Sequence, residues 1–201
     1  MRELIVSSFV TLDGVMQAPG GPEEDPSGGF EHGGWSFGYW DEQMQETMGV
    51  WMSKPFDLVL GRKTYEIFAA YWPNTDEDPA EVLNSATKHV ATTTLKELKW
   101  QNSKLIEGDV PDGIRTLKQE DGPELQVHGS ANLIQTLLEQ GLVDEFRLMI
   151  FPLVLGTGKR LFDGGAIPAG LEVTSSETSS TGVITATYRA GAEIKYGSFA
   201  D

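Results

Sequence analysis

The sequence predicts an α/β fold, a three-layer α/β/α domain on a mostly parallel sheet with antiparallel C-terminal strands. Strand and helix patterns alternate as far as Val143, which implies right-handed crossovers between parallel strands. Two of the helices begin directly behind a glycine turn at a strand end. Beyond Val143 the strand patterns follow one another with no helix between them, which reads as antiparallel addition to the sheet edge.

Each element rests on its own pattern. Leu4 to Val10 is a β-rich run that ends at the turn signal Asp13-Gly14. Residues 17–40 form a Gly- and Pro-rich insertion carrying Phe30, Trp35, Phe37, Tyr39 and Trp40. A connection this long is functional or disordered, and its aromatics argue against disorder. It reads either as a lid over a pocket or as a surface loop whose aromatics cover part of the core. Asp41 to Met52 is helical, with Met44, Met48, Trp51 and Met52 on one stripe, expected to face the core. Phe56 to Leu60 is a buried-strand run closed by Gly61, and a helix from Thr64 to Tyr71 stops at Trp72-Pro73. His89 to Thr93 and the weaker Lys104 to Ile106 are strands, and Ile114 to Gln119 is a helical turn or two. Leu125 to His128 is a strand closed by Gly129. Asn132 to Gln140 is a helix with Leu133, Ile134, Leu137 and Leu138 on one face and Gly141 capping its end. Phe146 to Phe151, Leu171 to Thr174 and Val183 to Arg189 are the last strands. The whole chain, 1–201, reads as one domain without internal repeats.

Composition narrows the function classes. The 201 residues suffice for a core without disulfides or a metal. Cysteine is absent, which removes disulfides, thiolate metal sites and cysteine nucleophiles, and fits a reducing compartment. The net charge of −15 disfavours nucleic acid as a partner. The first residues do not read as a signal peptide, and no apolar run reaches the ~20 residues of a membrane helix. The expectation is a cytoplasmic protein acting on a small molecule.

Two turns carry the chemistry. Gly61-Arg62-Lys63-Thr64 sits between a strand and a helix, where free N–H groups and the positive dipole end suit a phosphate and two cations stand ready. His128-Gly129-Ser130-Ala131-Asn132 repeats that logic, although Ser130 also reads as a helix cap. Open α/β sheets bind ligands at this carboxyl edge, and two such turns favour a dinucleotide. Thr92-Thr93-Thr94 follows a strand, where hydroxyls can meet an adenosine phosphate, though a β-branched run at a strand end is ordinarily just strand. Gly156-Thr157-Gly158-Lys159-Arg160-Leu161 is neither a Rossmann fingerprint, since it lacks the third glycine and Asp163-Gly164-Gly165 follows too soon for a helix to open, nor a P-loop, since Leu153 sits where the first glycine belongs. His32, His89 and His128 lack metal-ligand spacing, and no G-x-S-x-G elbow exists.

With Thr11-Leu12-Asp13-Gly14, Leu60-Gly61-Arg62-Lys63-Thr64-Tyr65-Glu66 and Val127-His128-Gly129-Ser130-Ala131 in this order, the chain resembles the dihydrofolate-reductase-like superfamily. It is most similar to the reductase domain of the bifunctional riboflavin-biosynthesis deaminase/reductase, through Gly141-Leu142-Val143-Asp144-Glu145 followed by Pro152, Gly156, Gly158 and Leu161-Phe162. The resemblance implies NADPH as cofactor. It places Gly61, Arg62, Lys63 and Thr64 at the adenosine-side phosphates, with Thr92 and Thr93 near the adenosine, and Gly129, Ser130, Ala131 and Asn132 at the pyrophosphate. The turn from Thr11 to Gly14 lies beside the nicotinamide. Riboflavin-type reductases commonly carry Glu where this chain has His128, which departs from their substrate.

The implied reaction is hydride transfer to a pterin- or pyrimidine-like heterocycle, with Asp13 and then Asp41 as candidates to orient substrate or relay the proton. Thr11, Trp35 and His128 are the candidate substrate contacts, and 17–40 closes over them. A ligand-binding protein of the same fold without turnover, and a flavin-linked reductase, stay open as alternatives. The family analogy also implies a homodimer through the C-terminal strands, whose edge is otherwise exposed.

Overall fold

The protein is described here by a computed structural model covering residues 1–163 and 167–199, so Gly164 and Gly165 of the rejected glycine motif lie outside the described residues. One sheet holds β1 (Leu4–Thr11), β2 (Phe56–Gly61), β3 (Lys88–Ala91), β4 (Ser103–Leu105), β5 (Glu124–His128), β6 (Glu145–Phe151), β7 (Gly170–Thr178) and β8 (Ile184–Ala192). Their order is β4-β3-β2-β5-β1-β6-β8-β7. The first six run parallel, β8 pairs antiparallel with β6, and β7 pairs antiparallel with β8. The predicted architecture is thus observed.

The central strand β1 is covered on both faces, which is why it reads as a nearly continuous apolar run. On one face Leu4, Val6, Leu125 and Val127 pack with Ile114 of α4 (Val110–Gln119) and with Leu133, Ile134 and Leu137 of α5 (Ala131–Glu139). On the other, Phe56, Leu58 and Leu60 meet Tyr65 of α2 (Arg62–Tyr71) and Leu83 of α3 (Ala80–Ser85). Met44 of α1 (Glu42–Trp51) joins Met149 and Phe151 on β6.

Boundaries differ from the sequence expectation where a local device acts. Helix α2 opens at Arg62, directly on Gly61, rather than at Thr64. Helix α4 opens at Val110, not Ile114, because Asp109 accepts from the Asp112 N–H at 3.4 Å and Pro111 occupies the first turn. The short α3 has no sequence counterpart in the prediction. Strand β3 stops at Ala91, which leaves Thr92 and Thr93 in the following turn. Gly141 adopts φ 60°, and its N–H and that of Leu142 donate to Leu138 and Leu137, closing α5 as expected.

The segment 17–40 is anchored along its length. Trp35 Nε1 donates to the Gln17 carbonyl at 2.8 Å, and Ser36 Oγ to that of Pro19 at 2.7 Å. The buried Gln17 amide donates to the Asp25 and Ser27 carbonyls, both at 2.9 Å. Phe30 is buried with Val15 and Ala18, while Trp35 and Tyr39 stand edge-on to Phe151. Both readings of this loop therefore hold in part: Phe30, Trp35 and Tyr39 cover the core, while Gln17 to Gly20, Glu24, Asp25 and Trp40 border a cleft and Phe37 is exposed.

Candidate functional site

The two glycine turns meet at the carboxyl edge of neighbouring strands. The Gly61 N–H donates to Ser130 Oγ at 3.0 Å, and the Ser130 N–H donates to Thr64 Oγ1 at 2.8 Å. This reciprocal pair brings the N-termini of α2 and α5 side by side. Gly129 and Ser130 both adopt left-handed backbone, with φ 56° and 64°. A side chain at Gly129 would be strained there, and its Cβ would also press on Thr64 at 3.1–3.2 Å. Neither helix start carries a side-chain cap, so first-turn N–H groups of both remain for a ligand. Ser130 is not the cap the sequence allowed for, because its hydroxyl is committed to Gly61 and to the His128 carbonyl.

A cleft of about 1530 Å³ opens from these turns. That exceeds the ~300–1,000 Å³ of a common small-molecule pocket and leaves room for a dinucleotide and a second ligand. Gly61, Arg62, Lys63, Thr64, His128, Gly129, Ser130, Ala131 and Asn132 all line it. The donor set fits a diphosphate: helix amides, a left-handed two-residue turn and two cations. Arg62 spans Glu66 Oε1 at 3.0 Å and Thr94 Oγ1 at 2.9 Å, at the cleft's exposed end.

Other expected residues lie elsewhere. Asp13 is outside the cleft lining. Its carboxylate accepts from Thr11 Oγ1 at 2.6 Å, from the Leu155 and Gly156 N–H groups at 3.2 and 2.8 Å, and from Arg160 at 3.4 Å. The Thr11 hydroxyl, with those amides, lowers its pKa to about 2, so it is a poor proton donor. Thr11 is itself enclosed in that turn, accepting from the Val15 N–H. Asp41 caps α1 by accepting from the Met44 N–H at 3.0 Å and receives Ser180 Oγ at 2.7 Å, and these bonds hold its carboxyl below the usual range. Trp35 is committed to Gln17 and Phe151. Thr92 Oγ1 accepts from the Thr94 and Leu95 N–H groups and, like Thr93, does not line the cleft. Thr94, the third hydroxyl of that run, is the one that stands beside Arg62.

One wall of the cleft comes from the segment read as a possible lid, although the sequence singled out neither its polar residues nor Lys159. Met16 to Gly20, Glu24, Asp25 and Lys159 line it, and Lys159 Nζ reaches Asp25 Oδ2 at 2.6 Å and Ser27 Oγ at 3.0 Å. Burial pushes the Glu24 carboxyl up, although one oxygen accepts from the Gly20 and Gly21 N–H groups. Met48 and Met52 of the stripe assigned to the core also face this space, beside Ser7, Ser8 and Phe9 of β1. Polarity scattered over five segments leaves no local motif. The available signal was the length and composition of the 17–40 insertion, since Asp25 and Lys159 lie 134 residues apart.

Comparison with known proteins identifies the family and the fold. The RibD C-terminal domain family matches residues 2–185. The uncharacterized protein YyaP of Bacillus subtilis (strain 168) is 29% identical over 196 residues, 93% of this chain and 94% of its own length. Its companion YwjB from the same organism is 28% identical over 108 residues, 52% of this chain and 57% of its own. A Shewanella sp. PV-4 protein named for riboflavin biosynthesis superposes with a TM-score of 0.68 at 22% identity, covering 94% of this chain and 99% of that one. Dihydrofolate reductase from Enterococcus faecalis, complexed with NADP(H), superposes with a TM-score of 0.59 at 13% identity, over 94% and 97% of the two chains. These two likenesses show a shared fold.

Proposed function

Because the chain belongs to the RibD C-terminal domain family, we propose that it is an NADPH-dependent reductase acting on a pterin- or pyrimidine-like heterocycle. The observation that carries this reading is the reciprocal bonding of Gly61 with Ser130 and Ser130 with Thr64, which makes one anion cradle from two helix starts.

NADPH supplies the hydride. The first-turn amides of α2 and α5 hold the diphosphate, and Arg62 and Lys63 neutralise charge at the adenosine side. Ser7, Phe9, His128, Met48 and Met52 form a partly apolar wall for the heterocycle. Glu24 takes the proton-donor role expected of Asp13 or Asp41, since it lines the cleft and burial favours its protonated form. The product is the heterocycle with one C=N or C=O bond reduced.

The test is consumption of NADPH, followed by its near-ultraviolet absorbance, across a panel of unsaturated pteridines and pyrimidines. Turnover that is lost in Glu24→Gln while NADPH still binds supports the reading. A panel with no turnover by a protein that binds NADPH tightly favours the non-catalytic alternative.

The proposal extends to assembly and place. Strand β7 is exposed along almost its whole length, with Leu171 and Val173 showing apolar surface, and a second copy of the chain would cover that edge. Light scattering that gives the monomer mass at micromolar concentration would contradict the dimer. Among the described residues no helix is long and apolar enough to cross a membrane. Use of NADPH together with the cysteine-free composition supports a cytoplasmic setting.

A further inference from the structure

A chain of polar side chains crosses the sheet face beneath α1 and ends in the cleft. Arg147 Nε donates to Glu145 at 2.8 Å, and its terminal nitrogens donate to Glu124 at 2.8 and 3.3 Å. Gln126, nearly fully buried, donates from Nε2 to Glu124 Oε1 at 2.7 Å and to the Trp51 carbonyl at 3.1 Å. Both of those partners are acceptors only. The amide nitrogen of Gln126 must therefore face them, which leaves Gln126 Oε1 for His128 Nε2 at 2.8 Å. An amide oxygen accepts and does not donate, so His128 Nε2 carries the hydrogen.

The other ring nitrogen follows from this. Burial, with the nearby Arg147 charge, lowers the His128 pKa to about 4. At neutral pH the imidazole is uncharged, and Nδ1 is a bare lone pair. Phe56 lies nearly parallel to the ring, with centroids 6.2 Å apart, and steadies its plane. Among the described residues Nδ1 has no hydrogen-bond partner, and neither does the hydroxyl of Ser7, which pairs in register with His128 on the adjacent strand. Both residues line the cleft with Met48 and Met52.

We propose that His128 is a specificity-determining acceptor: Nδ1 receives a hydrogen bond from an N–H or amino group of the heterocycle, so the site selects substrates that present a donor at that edge. The proposal rests on the reductase reading of the cleft for the identity of its ligand. It does not rest on that reading for the protonation state of the ring. Gln126 acts as a positioning residue, because its carbonyl fixes the tautomer. A ligand offering only a lone pair there would face lone-pair repulsion and leave Nδ1 unpaired.

The experiment is a long-range proton–nitrogen correlation spectrum of the protein labelled with nitrogen-15 histidine. Only three imidazoles contribute, and His32→Gln and His128→Asn assign them. At pH 7 the expected pattern for His128 is a protonated Nε2 and an unprotonated Nδ1, with a mixture of tautomers in Gln126→Leu. With saturating NADPH, 2-aminopyrimidine should shift the Nδ1 resonance, and 2-methoxypyrimidine should bind it roughly fivefold more weakly or worse. A protonated Nδ1 in the wild type overturns the proposal. So does equal or stronger response to the methoxy compound, or no response of Nδ1 to either. Failure of NADPH itself to bind, with the tautomer as stated, counts instead against the reductase reading.

Discussion

Thr64→Ala removes the acceptor that holds the second glycine turn. Thr64 is 9% exposed, and its Oγ1 takes the Ser130 N–H at 2.8 Å. Without it, that amide, which borders the cleft, exchanges its partner for water at a cost of about 0.5–1.5 kcal/mol. Gly129 and Ser130 also lose the contact that restrains their left-handed backbone, so the cradle is no longer held ready for an anion. Preorganisation worth about 1.4 kcal/mol corresponds to about tenfold in NADPH affinity. The assays are urea unfolding for the fold and NADPH fluorescence titration for the site, with Thr64→Ser as the control that keeps the hydroxyl. Thr64→Ser should stay near wild type in affinity, while Thr64→Ala loses both stability and about tenfold in binding. If Thr64→Ala and Thr64→Ser bind NADPH equally, the cross-turn hydrogen bond does not shape the site.

Other perturbations separate structural from ligand-facing groups. Asp13→Asn should lower stability by about 1–2 kcal/mol with little change in NADPH affinity, since its carboxylate ties β1 to the Leu155–Gly156 turn. The folded pKa of Asp13 lies near 2, below the ordinary 3.8, so its stabilisation is present above pH 4 and fades as pH falls toward 2, a slope that the variant should lack in acid titration. Lys88 is fully buried, donates to the Asn84 and Gln101 carbonyls at 2.7 and 3.2 Å, and sits 4.1 Å from the Trp100 ring centre. Burial lowers its pKa from 10.5 to about 8, so between those values the unfolded chain binds the extra proton and stability rises with pH. Urea unfolding of wild type should therefore gain about 2 kcal/mol relative to Lys88→Met between pH 7 and 9.5, and parallel pH curves would contradict a buried cation. On the proposed reading Arg62, bonded to Thr94 at 2.9 Å, neutralises charge at the adenosine side, so Arg62→Ala should weaken NADPH more than NADH; equal losses would mean it does not read the 2′-phosphate.

The sheet and both glycine turns were legible because their signals are local. A buried strand, a glycine and an apolar helical stripe lie within a few residues of each other at Val59 to Phe68 and again at Leu125 to Leu137. The partners that give such residues their roles are distant in the chain. Ser130 looks like a helix cap until Gly61, 69 residues away, is found donating to it. Asp13, behind a strand, reads the same whether it faces a cleft or clamps Gly156, and only the 143-residue separation of that contact decides. The methionine stripe faces the core as its spacing predicts, with Met44 buried and Met48 and Met52 packed against core clusters, but the last two also line the cleft, because the cleft continues the core's apolar surface. His128 was visible as a departure from the family pattern, but its tautomer depends on Gln126, Glu124 and Arg147 acting together.

The most direct test of the cradle formed by α2 and α5 is unfolding of the protein with and without NADPH. At a cofactor concentration 100 times its dissociation constant, binding to the folded state alone should raise the unfolding free energy by about 2.7 kcal/mol, and Thr64→Ala should shift that response to roughly tenfold higher cofactor. An unfolding curve that NADPH leaves unmoved at millimolar concentration would contradict the assignment of this cleft to a dinucleotide.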